Sequence, residues 1–336
     1  MGLKMRRFTS IVLLAALLAP TDALHARLRP QPPLRAAHNN VRHPSPALVA
    51  SPVVKAAGAI GAANVLGFGI SALTGWHYHL DLLGTGVFAI AAFVTRGITL
   101  AQQCSAFAVG LWASKLAGFL FYRALLTKRD MRLEDTLSTT SGQVGFWVIS
   151  FAWGWLVSLP HTLAAGVPVA ERPPFGAIHV IGLTLFAAGF FVETAADWQK
   201  WLFKANDANR GKFCDVGVWR LTQHPNWFGN LLLWAGIFTL NAPTLLAVGP
   251  AATLGPLTIP AWLGTACRFG TTAISPLFLL ALFNGQATGV PPLNKGYDMT
   301  IAKFGSDPTW QAYNKVTPAL IPTLKSVGAW LKGSYA

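Results

Sequence analysis

The chain has 336 residues, 53% of them hydrophobic and only 11% charged, against about 25% charged in an ordinary soluble domain. That composition excludes a typical water-soluble globule and points to helices in lipid. The net charge of +14 is no nucleic-acid signature: eight of the 26 Lys/Arg precede residue 56 and most of the others gather in loops, as the positive-inside rule requires. Three scattered cysteines without CxxC spacing exclude a disulfide framework, and no metal site is expected.

The chain opens with a basic stretch, MGLKMRRFTS, and a short apolar run, IVLLAALLAP, before small residues near Ala23. Residues 1–23 therefore read as a signal peptide, too short to span a bilayer. Residues 24–52 carry Arg27, Arg29, Arg35 and Arg42 without one acid and are proline-rich, the composition of a transit peptide. Together they suggest a bipartite presequence for a plastid bounded by extra membranes. A secretory or endoplasmic-reticulum protein with a linker, or a mitochondrial presequence, are the alternatives. Residues 53–325 form the membrane domain and 326–336 a tail.

Apolar windows recur from Val53 to Trp76, Leu80 to Ala101, Ser105 to Leu126, Ser141 to Leu159, Phe175 to Val192, Trp227 to Gly249 and Leu257 to Gly285. At about 20 residues per crossing, this predicts an all-α, multi-pass transmembrane helical bundle with six or seven spans. The bilayer is thus a partner of the chain, and any substrate is expected to be a hydrophobic small molecule. The Lys/Arg-rich loops Thr127–Thr140 and Gln199–Asn226 and the C-terminal tail should share one face. Arg96, Lys115, Arg123, Glu193 and Arg268 lie within or near the windows. Charge there is costly and marks ion pairs, span ends or ligand contacts. For Lys115, mid-window, a polar cavity is the expectation. His77-Tyr-His79 has ligand-like spacing but no third ligand, and reads as a membrane-edge loop.

Charge is densest in FVETAADWQKWLFKANDANRGKFCDVGVWR, where nine of the 38 charged residues fall between Glu193 and Arg220. If the helix beginning near Phe175 continues to about Lys204, then Glu193, Asp197, Lys200 and Lys204 share one face. Two acids one turn apart on that face suggest a wet pocket, where they would accept hydrogen bonds from a ligand's hydroxyl or amide groups. Arg210, Lys212 and Arg220 could hold phosphates. The other reading is a salt-bridged helix end touching lipid headgroups. Next comes RLTQHPNWFGN. Pro225 fits a first helical turn, which puts His224 or a neighbour at the cap and Asn226 beside free N–H groups suited to an anion.

From Phe191 through Phe238 the sequence is similar to the C-terminal domain of the steroid 5-alpha-reductase superfamily. It looks most like an uncharacterised membrane branch reading close to "NRG.F...GLWRYSRHPNYFGE". LWASKLAGFLFYR, GFWVISFAWGWLVSLP, SPLF and FGSDPTWQAYNKVTPALIP extend the resemblance over roughly residues 55–325. It implies a helical membrane fold with a pocket for NADPH and reduction of a carbon–carbon double bond conjugated to a carbonyl. Carried over by position, Glu193, Asp197, Lys200, Lys212, Asn226 and Asn230 would contact the cofactor, with Arg210 and His224 belonging to the branch's own pattern. Tyr122 is the phenol offered as proton donor to an enolate.

Isoprenylcysteine and phospholipid methyltransferases share a related RHPxYxG segment that binds S-adenosylmethionine. A methyltransferase is therefore the alternative activity, although Pro292–Asp298 lacks the pair of acids those enzymes carry near the C-terminus. Three positions depart from the branch pattern: Gln223 stands for Arg, Trp227 for Tyr and Asn230 for Glu. A non-catalytic scaffold with the same fold is the third reading.

Overall fold

The computed structural model describes residues 46–127, 133–249, 252–254, 257–291 and 293–333. The signal-like segment, most of the transit-like segment, and Lys128, Arg129 and Arg132 lie outside the described residues. In chain order the helices are α1 (Pro46–Thr74), α2 (Leu80–Val94), α3 (Leu100–Thr127), α4 (Glu134–Leu137), α5 (Thr140–Ala165), α6 (Ala177–Ala205), α7 (Pro225–Leu245), α8 (Ala261–Thr288), α9 (Lys295–Phe304), α10 (Pro308–Val316) and α11 (Leu324–Lys332). A hairpin pairs β1 (Ala252–Leu254) with β2 (Leu257–Ile259).

Five helices among the described residues are long and apolar enough to cross a membrane: the Pro52–Thr74 part of α1, then α3, α5, α6 and α8. The expectation of six or seven spans is therefore corrected to five. The window from Leu80 to Ala101 ran through a helix break. α2 stops at Val94, where the Thr95 hydroxyl bonds the Ala91 carbonyl at 2.6 Å. Its 15 residues reach about 22 Å, short of a bilayer core of about 30 Å. α7 is long enough but carries Asn226, Asn230 and Asn241, and it packs against α3, α5, α6 and α8. The polarity that removes it from the set of spans belongs to a helix enclosed by others.

The closest pairing is between α6 and α7. Backbone meets backbone at Gly182 against Leu240, Phe186 against Gly236, Gly189 against Leu233, and Glu193 against Gly229. The rise of one number with the fall of the other makes the pair antiparallel. The glycines recur every seven residues on both helices. A Cβ at Gly229 would lie 2.5 Å from the Glu193 nitrogen, so only a hydrogen fits. Small residues that admit backbone contact hold membrane helices together where no hydrophobic effect can.

The core centres on Phe88, Trp112 and Trp234, all fully buried. Trp112 meets Phe88 and Trp234 edge-to-face at 5.3 and 5.1 Å, the geometry aromatic quadrupoles favour. Two half-buried arginines cap helices. Arg172 donates to the Val167 and Ala165 carbonyls at the end of α5. Arg268 does the same for Leu245 and Ala247 after α7. Arg96 lies in the α2–α3 connection with its guanidinium 4.2 Å from the centre of the Phe93 ring. Arg96 and Arg268 thus have structural work that accounts for them.

Candidate functional site

α6 has 29 residues, about 43 Å of helix, so its final turns extend beyond an apolar core of about 30 Å. Those turns carry the charged stripe as expected. The two acids are not equivalent, however. Glu193 is 2% exposed, accepts the Trp112 indole N–H at 3.0 Å and lies 3.4 Å from the Lys115 ammonium. Asp197, one turn on, shares that ammonium at 3.4 Å and lines a cavity. Lys115, for which the sequence suggests a polar cavity, lies instead in an ion triad on α3 and α6, and neither it nor Glu193 is among the residues lining the cavity.

The cavity has a volume of about 790 Å³ and is bounded by the α1–α2 turn, the last turns of α3 and α6, residues 133–138, and the start of α7. Trp76, Phe119, Trp201 and Trp227 give it aromatic walls, and its charged lining residues are Arg123, Lys200, Lys204, Asp81 and Asp197, with His224 and Asn226 alongside. A smaller cavity of about 200 Å³ shares Lys200, Lys204 and His224 and adds Lys212, Lys303 and Gln223. No carboxylate is among its lining residues that are described. Lys200 stands between the two with its ammonium 4.2 Å from the centre of the Trp219 ring. The end of α3, the start of α7, residues 133–138 and α9 thus meet at one end of the bundle, as the loop-charge argument required.

The segment between α6 and α7 folds back onto α6. Gln199 accepts the Val218 N–H at 2.9 Å, and the Trp219 indole donates to the Ala196 carbonyl at 3.0 Å. Pro225 starts α7 and His224 is its N-cap residue, but its side chain makes no capping bond. Its Nδ1 instead lies 2.9 Å from the Ala319 carbonyl. The ring stacks on Trp227 at 4.2 Å. Burial pushes His224 down to about 4, so the imidazole is neutral at physiological pH. Burial also raises the Cys214 thiol, which makes it an uncharged part of the smaller cavity's wall.

Of the residues read from the sequence, Asp197, Lys200, His224 and Asn226 meet in the larger cavity and Lys212 joins Lys200 and His224 in the smaller. Four others line neither. Glu193 is buried in the triad. Asn230 is buried on α7, its Oδ1 without a hydrogen-bond partner among the described residues. Arg210 is exposed and pairs with Asp207 at 3.3 Å. Tyr122 is 42% exposed, with its ring 6.1 Å from Trp201. Sequence reading missed Lys204, Trp227 and Lys303 as cavity residues. Lys204 had a signal, its place on the α6 stripe; Lys303 had none locally. His77 and His79 bond Ser71 and the Gly67 carbonyl, and no metal-binding group of three occurs among the described residues.

These features define a class: a multi-pass, all-helical membrane protein with a cation-rich cavity pair at one end of its bundle. Residues 67–268, more than half the chain, match the family described as "Protein of unknown function (DUF1295)". The chain belongs to that family. The matched residues include Lys115, the α6 stripe and the HPN turn and end before α9. Neither the curated proteins nor the solved structures gave a match.

Proposed function

We propose that the chain is an integral membrane reductase that holds NADPH across the two adjoining cavities and reduces a conjugated carbon–carbon double bond in a hydrophobic, isoprenoid or steroid-like substrate. The observation that carries this reading is charge. Among the described residues, Arg123, Lys200, Lys204, Lys212 and Lys303 line the pair against Asp81 and Asp197. NADPH is a polyanion with a pyrophosphate and a further phosphate. S-adenosylmethionine carries a sulfonium and an amine against one carboxylate, so a cation-rich lining suits the first and repels the second. The larger cavity's volume falls in the usual range of small-molecule sites, about 300–1,000 Å³. The resemblance to the steroid 5-alpha-reductase superfamily points the same way.

In this reading the lysines and Arg123 pair with phosphates. Trp201 offers a flat apolar face to rings, and Asp197 and Asn226 meet hydroxyl or amide groups. The only sheet among the described residues is the β1–β2 hairpin, so the dinucleotide would be held by helices and loops. When bound, NADPH supplies a hydride to the substrate. The membrane in question is assigned to the plastid on the presequence pattern, which a fluorescent-protein fusion of residues 1–55 tests; uniform reticulum labelling overturns it.

Titrating purified protein in detergent with NADPH, followed by quenching of tryptophan emission, should give saturable binding. Lys204→Ala should weaken it about tenfold, the scale of one lost charge-assisted contact. Binding of S-adenosylmethionine without NADPH would replace the reductase by a methyltransferase, and binding of neither would leave a scaffold.

A further inference from the structure

The C-terminal segment is laced to the turn before α7. Tyr313 donates to the Trp219 carbonyl at 2.6 Å. The Gln223 side-chain amide donates to Asn314 at 2.7 Å and to the Thr317 carbonyl at 2.8 Å, and its backbone N–H to the Pro318 carbonyl at 2.9 Å. Thr222, fully buried, donates to the Pro318 and Ala319 carbonyls. Gln223 departs from the branch pattern that the sequence resembles, and its amide supplies two of these bonds. The last contact in the series is the one from His224 to the Ala319 carbonyl.

That contact fixes chemistry. A carbonyl oxygen only accepts, so Nδ1 carries the proton. In a neutral ring the other nitrogen, Nε2, is then a bare acceptor. Free imidazole side chains prefer the opposite tautomer, so the carbonyl is what selects this one. Stacking of Trp227 on the ring and of Phe283 on Trp227, at 4.2 and 5.6 Å, holds the plane. His224 lines both cavities.

We propose that Tyr313–Ala319 is a positioning strap that holds His224 as the Nδ1-protonated tautomer and so makes Nε2 a hydrogen-bond acceptor for the ligand. The ligand group placed there is a donor, a ribose hydroxyl or carboxamide N–H, whereas phosphate, which has only lone pairs to offer, goes to the lysines. The identity of that group rests on the dinucleotide reading; the tautomer does not.

The test is ¹⁵N NMR of imidazole-labelled full-length protein in lipid nanodiscs at pH 7, with His224 assigned by its loss in His224→Gln. The expected pattern is a protonated Nδ1 and a bare Nε2, shifting toward the Nε2-protonated form in Gln223→Ala. An Nε2-protonated ring in the unaltered protein, or a tautomer unmoved by Gln223→Ala, overturns the strap. NADPH titration adds the second arm. His224→Gln, which keeps an acceptor near the Nε2 position, should bind within a few-fold of the unaltered protein. His224→Asn, which keeps only the inner amide, should bind about tenfold more weakly. Equal binding by the two overturns the acceptor role. The expected tautomer in a protein that binds no NADPH sinks the dinucleotide reading and leaves the strap standing.

Discussion

The two ends of the bundle bury polar groups between overlapping sets of helices, and they do so differently. At the end remote from the cavities, Gln102 donates to Asn241 at 3.0 Å, Asn241 to Ser105 at 2.9 Å, and Ser105 meets His161 at 2.9 Å. These four residues join α3, α5 and α7 and are at most 1% exposed. Ten residues along α3, about 15 Å, Lys115 holds Glu193 and Asp197. The first group is built from two amides, a hydroxyl and an imidazole that tie helices together. The second sets two carboxylates against one ammonium and opens on a cation-rich cavity. Buried polarity in this protein therefore serves cohesion at one end and charge placement at the other.

The strongest way to break the comparison is to part the helices that carry both ends. Gly229→Val should abolish folded protein, because the new atoms meet the α6 backbone; size-exclusion profiles in detergent would show it. An unchanged profile would mean the glycine seam does not bind the ends into one body. A sharper cut separates them. Lys115→Met leaves the buried Glu193 and the half-buried Asp197 without their shared cation and should cost about 3–5 kcal/mol. Asn241→Ala, removing neutral hydrogen bonds, should cost about 1–3 kcal/mol and leave NADPH binding alone. Thermal unfolding of the two variants in one detergent tests that order.

A further expected effect is a pH dependence. His224 is near 4 in the fold and would be about 6.5 unfolded. The unfolded chain therefore takes up a proton that the folded chain refuses. The contribution is fully present above pH 6.5, is lost as pH falls from there to about 4, and amounts to about 2 kcal/mol, allowing for the ring's partly exposed edge. Melting curves between pH 4 and 7 should show this loss, and His224→Gln should reduce it.

Much of the architecture was legible because hydropathy and local punctuation are local. The extension of α6 to Ala205 followed from the spacing of its charges, and the start of α7 from Pro225. The number of spans was overread because a hydropathy window does not register the turn at Thr95. It also cannot tell a helix enclosed by protein from one facing lipid, as with α7. At the site, the stripe on α6 and the HPN turn were readable, but their partners were not. Lys115 precedes Asp197 by 82 residues, and Ala319 follows His224 by 95. Nothing in the composition of either segment specifies those meetings. The unpaired charge of Lys115 inside an apolar run was a sign that some partner existed, without saying which.

The glycine seam has one more consequence. A ruler marked every seven residues matches itself after sliding by one mark, so α6 and α7 could align again about 10.5 Å away with glycines still in the seam. What makes the two alignments unequal is the side chain that does not repeat. Glu193, opposite Gly229, reaches Trp112 and Lys115 in only one of them. The ion triad thereby acts as the index mark that tells an otherwise periodic helix pair where zero is.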